Sequence, residues 1–450
     1  MRAVNQPAPN IADTSVQRDV CADSAIYLGV PLRAASQPTP LRTRNYRLYF
    51  SGQLVSVPGT WLQTVAQAWL VLTLSSSAAA LGITVALQTV PVLVLGAWTG
   101  SVADAVDKRK LLIGTQAAQG VLALVLGILA LTGVVELWMV WILALGLGVA
   151  RSFDTPTRQA FVSELVQGPS LPRAIGINST VVSAARMIGP AAGGAIIAVF
   201  GVGPCFLING ASFVGPLLAL TAMDTTKLYR ADVRARRSPG AVRAGLRYVR
   251  GRRELFIPLA MMAIIGTLAY EFQVSIPLMA HSAFHLGATG FGLLYAAMGA
   301  GAVVSGIALA GKVPGRVRTL TIAAVAFGIA LTAATAAPSP VTEGICLAFV
   351  GAASVVFSSS TNATLQIRAD PSMRGRVVAL YIMAFMGSTA IGGPLVGGVA
   401  ELLGPRASLG VGAAGCAAGV LLALALGKAH ATVNARPSAR GAEAARPNLT

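Results

Sequence analysis

Charge is what this 450-residue sequence has least of. Asp, Glu, Lys and Arg make up 11% of it, against about 25% in a typical soluble domain, so the chain cannot cover itself with an ordinary aqueous surface. Histidine is scarce: His281, His285 and His430 are the only three, and none stands near an embedded carboxylate pair or in a metal-ligand spacing. With no nucleophile motif either, the chain is not expected to be an enzyme. The four cysteines, Cys21, Cys205, Cys346 and Cys416, are far apart and three lie in apolar runs; they are expected as free thiols. No glycine-rich phosphate loop ending in Gly-Lys-Ser or Gly-Lys-Thr occurs, which argues against an ATP-driven pump. No cofactor or metal is expected.

What fills the chain is apolar. Hydrophobic residues make up 55% and the mean hydropathy is +0.70. They fall into runs of about 20, the length a helix needs to cross a hydrocarbon layer roughly 30 Å thick; the strands of a β-barrel would be shorter and alternating. Twelve spans are placed at 47–73, 78–103, 111–133, 136–157, 174–200, 204–223, 255–280, 288–311, 317–337, 341–367, 376–403 and 408–427.

The net charge of +18 raises the question of nucleic acid, and its distribution answers it. One set of connections holds Lys108, Arg109 and Lys110, then Arg158 and Arg173, then Lys312, Arg316 and Arg318, then Arg368, Arg374 and Arg376; the alternate connections hold Arg406 alone. That alternation reports membrane orientation, not nucleic-acid binding. It places both termini in the cytoplasm. Residues 1–41, without a signal-peptide pattern, and 428–450 read as disordered cytoplasmic tails. The longest connection, 224–254, carries ten basic residues and reads as a cytoplasmic tether lying on anionic lipid headgroups. It separates residues 42–223 from residues 255–427, six spans each.

The two halves resemble each other. GPAAGG at 189–194 recurs as GPLVGG at 393–398, and the segment from Gly100 has a weaker counterpart from Gly306. The expected fold is all-α and integral to the membrane, with twelve helices in two pseudo-symmetric six-helix bundles. Repeated halves of this kind are a transporter architecture, with substrate bound between them.

RMIGPAAGGAI, from Arg186 to Ile196, shows what the apolar solvent demands. Ala185, Gly189 and Gly193 form a small-residue face for close helix contact, and Pro190 is tolerated where neighbours compensate for the lost hydrogen bond. Arg186 lies about 20 Å along the helix from Arg173, too far to reach water, so it should face a cavity or partner; Ser179 and Ser183 extend a polar stripe behind it. Glu271, in LAYEFQVSIPL, is the other embedded charge found, and the two are candidates to pair. Embedded acids are functional by default, and a carboxyl in a low-dielectric cavity can carry a proton; for Glu271 proton coupling and a structural ion pair are both open. Gln53, Ser56, Thr60, Gln63 and Gln67 put five polar groups on one face of the first span, lining either water, the favoured reading, or an interhelix contact. Asp154, before Thr-Pro, fits an N-cap of a short helix.

These residues resemble the major facilitator superfamily from about Leu41 to Leu426. GSVADAVDKRKLL is similar to its loop between helices two and three, with Gly100, Asp104, Lys108, Arg109 and Lys110 on the glycine, acidic and basic positions; Ala105 and Asp107 depart from it. The resemblance implies a gating loop that latches the halves, and Asp104 could stabilise the nearby helix N-terminus. Gly176, Gly189, Pro190, Gly193 and Gly194 resemble the antiporter motif of helix five, which implies efflux. RNYRLYFSGQLVSVPGTWLQTVAQAWLVL, RSFDTPTRQAFVSELV and PSMRGRVVALYIM resemble the bacterial branch of enterobactin and macrolide exporters, which brings Asp154 and Arg158 as a helix-four pair in structure or gating. The resemblance implies that the membrane is a bacterial cytoplasmic (inner) membrane. The implied function is proton-coupled antiport of a siderophore or drug by a monomer, with small-molecule substrate, protons and the bilayer as partners. Nutrient or lipid uptake, and a non-transporting sensor, are the alternatives.

Overall fold

Backbone groups that cannot reach water must bond within their own segment, and the described chain is helical, with no strand among the described residues. The computed structural model describes residues 39–167, 170–229, 241–309, 316–370 and 373–434, less some side chains within helices, among them Asp104, Ser179 and Ser183. Cys21, Lys312 and most of both tails lie outside the described residues.

The first half of the chain forms α1 (Arg44–Ser75), α2 (Ala78–Ala105), α3 (Lys108–Thr132), α4 (Leu137–Leu165), α5 (Leu171–Phe200), α6 (Gly203–Ser212) and α7 (Val214–Thr221). A short helix, α8 (Ala241–Arg250), precedes α9 (Arg253–Ala269) and α10 (Phe272–Leu278). The chain continues through α11 (Ala288–Ala308), α12 (Val317–Thr335), α13 (Pro340–Arg368), α14 (Arg374–Leu403) and α15 (Pro405–Asn434). Ten spans are long and apolar enough to cross a membrane, counting α6 with α7 and α9 with α10 as one each. By the same measure α1 is not apolar enough, because it carries the five-residue polar stripe, and in α5 only Ala184–Phe200 qualifies as a shorter apolar helix. Val94, Ile142, Ile307 and Ile329 are more than half exposed, a face that hydrocarbon solvates.

The sixth span runs from Gly203 to Thr221, with a turn at Phe213 between α6 and α7. Three expectations are corrected. The fourth span runs on to Leu165, well past residue 157, because Pro156 is accommodated inside α4; Asp154 is therefore interior to a helix and caps nothing. α15 continues past residue 427 into the segment read as tail. The helix α2 runs through Asp104 to Ala105, and it is Asp107 that caps α3, its carboxylate accepting the Lys110 backbone N–H at 3.2 Å. The tight turn between the two helices puts Asp107 at the position that the first free amides face.

Within residues 42–223, α1 packs on α5, α6 and α7, and α4 packs on α2 and α3; within 255–427, α9 packs on α14 and α15, and α13 on α11 and α12. Two extensive contacts join these groups, α2 with α14 and α5 with α11. Both are close approaches of glycine-bearing backbone. A methyl group on Gly194 would lie 2.9 Å from Gly292 Cα, and one on Gly397 would lie 2.6 Å from the Ala78 carbonyl. With no hydrophobic force between helices in lipid, such backbone contact supplies the attraction.

Candidate functional site

The membrane helix that begins as α9 breaks at its deepest charge. Tyr270 (φ −96°, ψ 12°) and Glu271 (φ −82°, ψ 43°) leave helical geometry, and α10 restarts with Glu271 as its N-cap residue. The Glu271 carbonyl accepts the first bonds of the new helix, from Val274 and Ser275 N–H at 3.0 and 2.9 Å. Tyr270 fixes the break: its hydroxyl donates to the Ser354 carbonyl at 2.6 Å, and its ring meets Phe327 and Phe385 edge-on at 5.4 and 5.2 Å. The Glu271 side chain, 2% exposed, points at α14, where a methyl group on Gly392 would lie 2.5 Å from Oε1. Among the described residues neither carboxyl oxygen closes a hydrogen bond; Thr389, on the same face of α14 as Gly392, lies beside it without completing one. Discontinuous helices of this kind line cavities in transporters.

Arg186 stands at the middle of the thirty-residue α5. No ion pair joins it to Glu271 among the described residues. Its guanidinium lies over the Trp61 ring of α1, 5.1 Å from the centroid, a contact worth about 2 kcal/mol when desolvated, and its Nε is buried without a hydrogen-bond partner. Trp61 in turn meets Tyr295 of α11 at 6.5 Å between ring centroids. Helices from both groups thus converge on one polar locus.

Glu271 and Arg186 are not the only embedded charges, as the sequence suggested. Arg151, Asp154 and Arg158 lie on α4, and Glu343, fully buried, lies in the first turn of α13. Asp154 accepts from Thr115 Oγ1 (3.0 Å), Gln116 Nε2 (2.6 Å) and both Nε and Nη2 of Arg158 (3.0 and 2.5 Å); Arg158 Nη1 reaches Gln53 Oε1 at 2.6 Å. Arg151 donates to Gln88 at 3.2 Å, and Gln88 to Gln67 at 3.0 Å. Asn209 donates to Gln63 at 2.5 Å. The α1 stripe favoured for a water-lined cavity is therefore engaged between helices in this conformation: Gln53, Ser56, Gln63 and Gln67 are 3–4% exposed, and Thr60, half-buried, bonds back to the Ser56 carbonyl. The spacing 151, 154, 158 is itself one helical face; it was legible once the span was allowed to extend beyond 157.

Residues 35–445 match the family described as transmembrane secretion effector. The chain belongs to that family, within the major facilitator transporters. It is 25% identical over 363 residues to the staphyloferrin A transporter of Staphylococcus aureus (strain NCTC 8325 / PS 47), covering 80% of this chain and 90% of the relative. It is 26% identical over 389 residues to the enterobactin exporter EntS of Salmonella typhi, covering 85% and 92%. Among solved structures, the nucleoside transporter NupG aligns with a TM-score of 0.63 at 15% identity over 85% of this chain and 97% of that one. A bacterial homologue of the iron transporter ferroportin in the inward-facing state aligns with a TM-score of 0.66 at 14% identity over 85% and 98%. The protein is a multi-pass membrane transporter, not an enzyme.

In this secretion-effector chain, Lys108 and Arg109 of the loop resembling a latch between halves bond to groups within residues 42–223. Lys108 pairs with Glu164 at 2.7 Å, and Arg109 donates to the Leu220 and Thr221 carbonyls at 2.6 and 3.0 Å, satisfying the end of α7. Gly100 is buried, Lys110 exposed, and the Asp104 side chain lies outside the described residues. Of the helix-five motif, Gly176 lies near the basic end of α5, Gly189 and Gly193 pack on α1, and the Pro190 carbonyl and Gly194 meet Gly292 of α11. On the side opposite the basic loops the groups are tied across. Glu401, in the last turn of α14, accepts Ala78 N–H (2.6 Å), Ala79 N–H (3.2 Å) and Ser77 Oγ (3.1 Å) at the start of α2, a carboxylate on a helix N-terminus. Charge-assisted bonds contribute roughly 1.5–3 kcal/mol. In a background lacking native cysteines, a probe made by Ala78→Cys is therefore expected to react with a membrane-impermeant maleimide at least about fivefold faster when Glu401→Ala is added. Equal rates would mean that helix packing alone seals this side.

Proposed function

We propose that the protein is a secondary exporter that expels a small amphipathic compound, a siderophore or a drug, in exchange for protons. Residues 42–223 and 255–427 act as two halves that alternate access around the Glu271–Arg186 locus, in a monomer. The basic side is cytoplasmic, with both termini there, and the membrane is the bacterial inner membrane. The observation that carries this reading is Glu271: a carboxyl group 2% exposed, at a helix break, with neither oxygen hydrogen-bonded among the described residues. An acid enclosed in one conformation and wetted in the other takes up and releases a proton as the halves exchange. The siderophore class is supported by the names of the relatives, and the latch at Glu401 supports closure of the outer side in this conformation.

The test is mass spectrometry of culture medium and cell extract from the native host, with and without the gene, in iron-poor and iron-rich medium. In the strain lacking the gene, loss of a compound from the medium with its accumulation in cells, only when iron is scarce, is the result expected for a siderophore exporter. A compound that instead accumulates in the medium would indicate uptake. No change in either condition would exclude the siderophore class, and macrolides and dyes would be tested next.

A further inference from the structure

The linker expected to be a tether contains a docked helix. α8 carries apolar residues on one side: Val249 is fully buried with Leu255, Leu365, Ala369 and Val377, and Gly245 lies against Arg376 and Leu380 at the start of α14. A polar clamp fixes its end. Arg252 makes a bidentate pair with Asp370, with Nη1–Oδ1 at 2.9 Å and Nη2–Oδ2 at 2.8 Å, and stacks on Tyr248 at 4.6 Å, while Asp370 N–H donates to the Tyr248 hydroxyl at 3.0 Å. Hydrogen bonds from Arg252, then from Tyr248, hold the Asp370 carboxyl below the usual carboxylate range, so the clamp stays charged at neutral pH.

With one face docked, the other carries Arg243, Arg247 and Arg250, all exposed. Their i, i+4, i+7 spacing aligns them as one stripe. No acidic residue occurs from Ala241 to Arg253, and the neighbouring acids Asp370 and Glu254 are already paired, with Arg252 and Arg368. The helix sits where α9 and α14 begin and α13 ends, at the boundary of the membrane-spanning region. We infer that the arginine stripe of α8 is a docking site for the anionic phospholipid headgroups of the adjoining leaflet. Depth decides the occupant, because a cationic stripe held at the end of membrane helices meets phosphate esters of the bilayer before any soluble anion. Because α8 is clamped to α14 and to the loop before it, lipid bound there anchors the C-terminal helices while the N-terminal ones remain free to move.

The test uses the purified full-length chain in detergent, with phosphatidylglycerol or phosphatidylcholine added and retained lipid counted by native mass spectrometry. Each basic residue at a headgroup surface contributes about fivefold. R243Q/R247Q/R250Q is therefore expected to lower phosphatidylglycerol retention roughly a hundredfold and R243K/R247K/R250K to keep it. If the triple glutamine variant does not fold, each single variant still carries its own fivefold step. Equal retention by wild type and the glutamine variants would overturn the inference. Displacement of the lipid by inorganic phosphate would also overturn it, in favour of a soluble-anion site.

Discussion

Glu271→Gln is expected to reduce gradient-driven export to the level of protein-free vesicles, while the variant folds and inserts normally. Glutamine is nearly isosteric, so it fits against Gly392, where no extra bulk is accommodated, and it keeps the N-cap position at the break between α9 and α10. It also costs less to bury than a carboxylate. What it cannot do is exchange a proton. The measurement is transport in proteoliposomes under an imposed pH gradient, alongside counterflow of labelled compound without a gradient. Loss of the first with retention of the second assigns Glu271 to coupling. Loss of both would place it in substrate binding or in holding the helix break. Unchanged uncoupler-sensitive export would remove it from the mechanism.

The parts of this architecture that depend on solvent were legible in the sequence, and the parts that depend on partners were not. Apolar runs of spanning length and small-residue positions such as Gly189 and Gly194 follow from what lipid permits, and the helices form where the runs lie. The repeat between GPAAGG and GPLVGG was legible too, but not its use. Gly189 and Gly193 pack on α1 within their own half, whereas the equivalent Gly393 and Gly397 pack on α2 across the halves. Hexapeptides that share the same Gly-Pro and Gly-Gly positions cannot reveal which face of a helix meets which neighbour. The α1 glutamines show the same limit: a stripe of polar groups reports that lipid is not there, but not that in this conformation Gln53, Gln63 and Gln67 bond to Arg158, Asn209 and Gln88 of other helices. The break at Glu271 has no glycine, and its nearest proline, Pro277, lies six residues on. It shows only once Tyr270 is seen held by Ser354, Phe327 and Phe385.

Asp154→Ala is expected to destabilise the protein by about 3–5 kcal/mol, the cost of removing one partner of a buried ion pair. The carboxylate gathers donors from α3 and α4, and through Arg158 it reaches Gln53 of α1. Its loss leaves a guanidinium within the bundle and strands the Gln116 donor, while the Thr115 hydroxyl keeps the Leu112 carbonyl at 3.1 Å. Asp154→Asn keeps one acceptor oxygen but loses the charge and turns the other oxygen into an NH2 that faces donors, so it should also destabilise, by less than the alanine. The decisive comparison is a double-mutant cycle with Arg158→Leu, read as thermal unfolding of the detergent-solubilised protein together with transport. Removing both charges should recover much of the stability lost with Asp154 alone, since a well-packed apolar pair often equals or exceeds a buried ion pair. If transport returns with stability, the pair is structural. If the doubly substituted protein is stable yet does not transport, the pair gates the movement of α4 against α1 and α3, and the resemblance to a helix-four gating pair gains its physical content.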